Sequence, residues 1–203
     1  MTSHKAIIFD LGKVLVEFDF QRAYRALEQV CGCRVPEMQR RLMESGLAEQ
    51  LETGGIEPRL FASSLCTLIG AEIPYDDFCG MFNSIFTRTL VPESLLEGLA
   101  SRYQLLLLSN TNSIHYDMLA ETYSALLRHF HHRILSFEVK AMKPQAEIYR
   151  LAVERAGCRP EECFYTDDIP EFIAAARERG IDAVRFESAA QLERELAQRG
   201  IRW

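Results

Sequence analysis

No stretch of this chain is long and apolar enough to cross a bilayer: the longest purely aliphatic run, Leu105 to Leu108, falls far short of the ~20 residues that a membrane helix needs. The start, Met1-Thr2-Ser3-His4-Lys5, has none of the apolar stretch of a secretion signal, so a cytoplasmic protein without membrane partners is expected. Positive charge is not in excess either. With 23 Lys and Arg against 29 Asp and Glu the net charge is -6, whereas proteins that grip nucleic-acid backbones need clustered basic surface. No nucleic-acid partner is expected, and any phosphate recognition has to be local. The six cysteines, Cys31, Cys33, Cys66, Cys79, Cys158 and Cys163, form no C-x-x-C pair and no zinc spacing, which favours reduced, mostly buried thiols over a disulfide framework. Repeats and low-complexity tracts are absent as well.

What is present is the material for a sizeable core. The 203 residues are 48% hydrophobic with 11 Gly and 7 Pro, enough for one ordinary domain with an accessory lobe. Strand-like apolar runs occur at Lys5–Phe9, Gln104–Leu108, Arg133–Phe137, Glu162–Thr166 and Asp182–Phe186. Helix-like segments separate them: Pro92–Tyr103, Thr111 towards Arg128, Pro144 to Gly157, Ile169–Arg179 and Ala189–Arg199. Such alternation predicts an α/β fold with a Rossmann-like, doubly wound parallel sheet. Between the first strand and Pro92 lie about eighty residues of helical periodicity without a convincing strand. Helices are expected at Phe20–Val30, Pro36–Glu52, Glu57–Ile69 and Tyr75–Arg88, punctuated by Gly32, Gly54-Gly55 and Gly70. Residues 1–17 and 90–203 are thus expected to form the core, and residues 18–89 an inserted helical cap. Because the cap leaves the sheet at the carboxyl end of a strand, it should overhang the crevice where such folds bind ligands.

Chemistry-bearing groups recur at the strand ends: Asp10 after the first, Ser109-Asn110 after the second, Asp167-Asp168 after the fourth, with Lys143 just before the Pro144 helix. Carboxylates gathered in one crevice repel unless a cation intervenes, and a hard divalent ion such as Mg²⁺ suits carboxylate and carbonyl oxygens while leaving room for a phosphate. An ionised Asp beside that ion and Lys143 can attack phosphorus and form an aspartyl-phosphate, which water then opens. Ser109, Asn110, Lys143 and the backbone N–H groups of Leu11 and Gly12 would hold the phosphoryl oxygens. Each piece alone has a plainer reading as a turn or helix cap; their ordered recurrence at successive strand ends favours the catalytic one.

These residues resemble the haloacid dehalogenase superfamily of aspartyl-nucleophile hydrolases over nearly the whole chain. Phe9-Asp10-Leu11-Gly12-Lys13-Val14-Leu15 looks like the superfamily's first motif, Leu108-Ser109-Asn110-Thr111-Asn112 the second, Lys143-Pro144 with Ile148-Tyr149 the third, and Tyr165-Thr166-Asp167-Asp168 the fourth. The D-L-G start, Glu17-Phe18-Asp19-Phe20 and the S-N-T-N stretch with His115 look most like the branch containing α-glucose-1-phosphate phosphatases, with the phosphatase domain of soluble epoxide hydrolases more distant. The resemblance implies Mg²⁺-dependent hydrolysis of a small phosphorylated metabolite, with a sugar phosphate favoured; a monomer or homodimer is expected. It also implies roles. Asp10 would be nucleophile and first metal ligand, and Gly12 a carbonyl ligand. Ser109 and Lys143 would bind the phosphoryl group, and Asp168 would bind metal directly with Asp167 beside it.

Two positions depart from the pattern. Most phosphatases of the superfamily carry a second Asp two residues after the nucleophile as general acid and base, where this chain has Gly12. That favours substrates with good leaving groups, unless Glu17 or Asp19 supplies the proton. Four residues after Asp168, where the family has Asp or Asn to brace the metal and the lysine, stands Phe172, with Glu171 next to it as a possible substitute, and Lys13 adds a cation near the nucleophile. A catalytically weakened protein that binds a phosphorylated ligand or a protein partner is therefore one alternative. A metal-free haloacid dehalogenase is another, opposed by Asp167-Asp168 and by the lack of an aromatic at position 12. The remaining candidates read as structure. His129, His131 and His132 form a surface loop rather than a metal site, and Phe78, Phe82 and Phe86 a helix core face at i, i+4, i+8 spacing. Arg22, Arg25, Arg40 and Arg41 read as solvated helix surface.

Overall fold

A computed structural model describes residues 3–203. The chain runs through β1 (Ala6–Phe9), β2 (Val16–Phe18), α1 (Phe20–Glu28), α2 (Val35–Ser45), α3 (Leu47–Glu52), α4 (Pro58–Ile69), α5 (Tyr75–Asn83), β3 (Phe86–Thr89), α6 (Glu93–Ala100) and β4 (Gln104–Ser109). It continues through α7 (Ser113–Thr122), α8 (Ser124–Leu127), β5 (His132–Leu135), α9 (Ser136–Val139), α10 (Ala146–Ala156), a 3-10 turn at Pro160–Glu162, β6 (Cys163–Asp167), α11 (Pro170–Arg177), β7 (Asp182–Arg185) and α12 (Ala189–Gln198).

Five strands form one parallel sheet in the order β5-β4-β1-β6-β7, with Phe9 opposite Leu107 on one side and Thr166 on the other. The strands are apolar on both faces because helices cover both. Ile7, Phe9, Leu105 and Leu107 join a core with residues of α6, α7, α8 and α12, while Ala6, Ile8, Leu106 and Leu108 point the other way into a core with α10 and α11. This is the Rossmann-like, doubly wound α/β arrangement expected from the sequence. Its order reverses around β1, so the crevice opens at the carboxyl ends of β1, β4 and β6.

Helices α1 to α5 pack around a third apolar cluster that includes Leu27, Met38, Phe61, Leu65 and Phe78, with Ile114 of α7 reaching into it. Four expectations for this region are corrected. Pro36–Glu52 is two helices, because Gly46 takes a left-handed conformation (φ 67°) that ends α2. Tyr75–Arg88 stops being helical at Asn83, and Phe86–Thr89 pairs antiparallel with β2 instead. The stretch therefore does contain a strand, and Phe86 is not on the helix face of Phe78 and Phe82. Its partner, Val16–Phe18, lies some seventy residues earlier, beyond what local periodicity registers. In the core, the strand expected at Arg133–Phe137 ends at Leu135, where Ser136 opens α9, and the helix expected from Thr111 to Arg128 breaks at Tyr123.

Candidate active site

Asp10 follows β1 directly, and its backbone N–H donates to the Thr166 carbonyl (3.0 Å), which fixes it at the central strand's end. Its neighbours converge from β4, β6 and the loop before α10. Buried Lys143 places its ammonium 2.7 Å from Asp10 Oδ1, 2.6 Å from Asp167 Oδ2 and 3.2 Å from the Leu108 carbonyl. All three ammonium protons are thereby used. Burial alone would lower the Lys143 pKa, but the two carboxylates more than offset it and hold the side chain charged. Burial, followed by Asp167, pushes the Asp10 carboxyl up to about 7 against the pull of Lys143. Asp168 is half-buried and is also raised, by burial and then by Asp167.

Carboxylate oxygens of Asp10, Asp167 and Asp168 lie within 4.8 Å of one another, the only such cluster of metal-ligating side chains among the described residues. Hard oxygen donors at that spacing fit a divalent cation such as Mg²⁺. The surrounding polar groups serve the cluster. Asp167 also accepts from the Ile169 N–H (2.9 Å) and from the Tyr165 hydroxyl. Burial and then Asp167 hold that hydroxyl's pKa well above its usual value, so it stays a donor. Asn110 grips the Lys143 backbone at both ends: its Nδ2 donates to the Lys143 carbonyl (3.0 Å), and its Oδ1 accepts from the Lys143 N–H (2.8 Å). The Asn110 side chain thus positions the lysine, which leaves its backbone N–H for a ligand. The Leu11 and Gly12 N–H groups make no hydrogen bond to another backbone group among the described residues. The Ser109 hydroxyl makes only a 3.4 Å contact to the neighbouring carbonyl.

At the two departures from the family pattern the structure is specific. A Cβ built on Gly12 would lie 2.6 Å from Phe18 Cε1, so the ring fills the volume that a side chain there would need. Neither suggested replacement acid is free: Glu17 is ion-paired with Lys13 and lies 3.9 Å from Arg88, and Asp19 caps α1 by accepting from the Gln21 N–H. Glu171 is exposed and braces nothing; the Phe172 ring centroid lies 5.0 Å from Lys143 Nζ, a cation–π contact in place of a carboxylate or amide brace. Lys13 is occupied by Glu17 and stands over the Phe18 ring.

The other polar candidates do not join the site. His129 faces Glu93, and His131 accepts from the Leu105 N–H, while Arg40 and Arg41 pair with Glu37. Tyr165 and Phe18 stand in the matching motifs, but the sequence assigns neither a chemical role. Tyr165 was legible in principle, because residues i and i+2 of a strand share a face and Tyr165 stands two before Asp167. Phe18 carries no such signal, since its contact with Gly12 depends on the β2–β3 ribbon.

Comparisons with known proteins agree with this geometry. A D-ribitol-5-phosphate phosphatase of Bacteroides thetaiotaomicron is 25% identical over 95% of this chain and 96% of its own length. The bifunctional epoxide hydrolase 2 of Rattus norvegicus is 30% identical over 80 residues, 39% of this chain and 14% of that enzyme. A crystal structure of a wild-type haloacid dehalogenase family enzyme from Bacteroides thetaiotaomicron, in complex with magnesium and inorganic phosphate, superposes with a TM-score of 0.81 at 26% identity, covering 92% of this chain and 96% of that one. Residues 4–180 match the haloacid dehalogenase-like hydrolase family, and the chain belongs to that family of hydrolases.

Proposed function

We propose that the protein is a Mg²⁺-dependent phosphatase that hydrolyses a small phosphorylated metabolite through an aspartyl-phosphate on Asp10. The observation that carries this reading is the Lys143 ammonium held between Asp10 and Asp167, with Asp168 alongside, at the carboxyl ends of adjacent strands. Asp10, Asp168, Asp167 and the Gly12 carbonyl would hold the metal. When bound, it supplies charge that steadies the phosphoryl oxygens and keeps the carboxylates ionised. Asp10 attacks phosphorus, and the ester oxygen departs with its electron pair. Ser109, Lys143 and the backbone N–H groups of Leu11, Gly12 and Asn110 orient the phosphoryl group. Water then opens the acyl phosphate, which returns Asp10 and releases phosphate. Residues 18–89 act as the cap over this crevice. The sugar phosphate expected from the sequence is one member of the substrate class, alongside the polyol phosphate named for the Bacteroides relative.

Phe18 beside Gly12 favours a second reading, a protein that binds a phosphorylated ligand without turning it over, because no acid can stand at position 12, two residues after Asp10. A panel of phosphate esters with and without Mg²⁺, run with the native protein and with Asp10→Asn, tests both. Phosphate release that requires Mg²⁺ and disappears in Asp10→Asn is expected. Release that survives the substitution would mean another nucleophile, and no release from any ester would leave only binding.

A further inference from the structure

Between the cap helices α1 to α5 and the start of α7 lies a cavity of about 250 Å³. Its wall is mostly hydrocarbon and aromatic, with Tyr24, Leu27, Phe61, Leu65, Phe82 and Ile85 among the lining side chains. A narrower cavity of about 60 Å³ shares Phe20, Glu52, Ile85 and His115 with it and is bounded at its other end by Gly12, Ser109 and Asn110. A phosphoryl group held at Ser109 and the Gly12 turn would therefore direct its ester group through the narrow cavity into the wide one.

The lining restricts what that ester group is. Neither cavity has a Lys or Arg in its wall, and the shared acid, Glu52, whose pKa is raised by burial and then by Glu49, offers no positive charge to a second anionic group on the ligand. His115 adds no positive charge: burial pushes its pKa down to about 3, and its ring lies flat on Phe82 with centroids 4.3 Å apart, extending the aromatic wall. A polyol would have to bury several hydroxyls against side chains that offer few partners, each unpaired one costing roughly tenfold or more in affinity. Apolar cavities of about 150 Å³ accept a benzene-sized guest, so about 250 Å³ holds roughly ten non-hydrogen atoms.

A second constraint comes from the chemistry. With Phe18 against Gly12 no acid can stand at position 12, two residues after Asp10, to protonate the departing oxygen, which favours an ester whose alcohol leaves as its anion. A phenol-type hydroxyl ionises near pH 10, about six units below water, and it is apolar.

We propose that the substrate is the phosphate monoester of an uncharged aromatic alcohol, one or two rings in size, whose rings occupy the cap cavity while Asp10 attacks its phosphorus. This inference rests on the phosphatase reading for turnover, but the cavity assignment is tested without it. Phenylphosphonate and methylphosphonate keep their carbon–phosphorus bonds and so report binding alone. In calorimetric titrations of the native protein with Mg²⁺, phenylphosphonate is expected to bind at least about tenfold more tightly, the gain from burying a Phe-sized apolar group. Ala23→Leu, which narrows the cavity, should reduce that phenyl-to-methyl ratio at least about fivefold, a ratio that a general folding defect does not move. Equal affinities, no binding of either phosphonate, or a ratio untouched by Ala23→Leu would overturn the assignment. In turnover, kcat/KM for phenyl phosphate is expected to exceed that for D-ribitol 5-phosphate at least tenfold, and the reverse order would overturn the substrate class. A phenyl preference in binding with no ester hydrolysed would instead remove the phosphatase reading and leave an aromatic phosphate binder.

Discussion

Gly12 and Phe18 form the contact that most distinguishes this site. A methyl group at position 12 would collide with the Phe18 ring at 2.6 Å. Gly12→Ala should therefore destabilise the protein by about 1 to 3 kcal/mol through overpacking, and Phe18→Ala should rescue it. A double-mutant cycle of denaturation midpoints measures the coupling, and additive effects would show that the ring yields freely. His115 provides a pH-dependent counterpart. Its pKa is pushed down to about 3 by burial, against about 6.5 in an unfolded chain. Between those values the unfolded chain binds a proton that the folded one does not, so the contribution is complete above about pH 6.5. It is lost as the pH falls towards 3, at no more than about 1.4 kcal/mol per pH unit. Stability curves for the native protein and His115→Gln should converge towards low pH and separate above 6.5. At this scale Asp10, Asp167, Asp168 and Lys143 are legible because Asp10 and Asp168 directly follow β1 and β6, Asp167 ends β6, and Lys143 stands three residues before α10. The cation–π partner Phe172 and the occupied space at Gly12 are not, because both are products of tertiary packing.

Among the elements, the breaks carry the information. Gly46 ends α2 at φ 67°, and the nearest atom to a built Cβ is Gln50 Nε2 at 4.0 Å. Gly46→Ala should accordingly cost about 1 to 2 kcal/mol from backbone strain alone, visible as a lower thermal midpoint with the cap still folded. The same residue shows why the sequence yields one long helix there. The apolar periodicity runs on across position 46, and only the conformation of the glycine interrupts it. Helix starts fared better, since Pro at the first turn of α2, α4 and α11 presets the backbone for a helix. The β2–β3 ribbon was illegible for a different reason: its strands are 3 and 4 residues long and pair across an insertion of five helices.

For the molecule as a whole, two lobes meet where the loop after α3 rests on α9. Gly54 sits at φ 64°, and a Cβ there would lie 2.2 Å from the Phe137 carbonyl oxygen. Because backbone rather than a flexible side chain blocks the space, Gly54→Ala has to move the cap loop off the core, with Glu52 two residues away. A fall in kcat/KM of at least about tenfold is expected, since about 1 Å of misplacement is worth up to 10² in rate; an unchanged value would show that this contact does not set the cap's position. The parallel sheet and the helical insertion were readable from the alternation of patterns along the chain, whereas this meeting point was not, because the close approach of two backbones leaves no mark beyond the glycine.

The placement of β1 between β4 and β6 also sets a timetable for biosynthesis. Asp10 emerges from the ribosome early and Asp167 157 residues later, a delay of roughly 8 to 30 s at ordinary translation speeds of about 5 to 20 residues per second. Throughout that interval β1 has its β6 flank unpaired, and until β4 is made both flanks, so the crevice is among the last parts of the molecule to be completed.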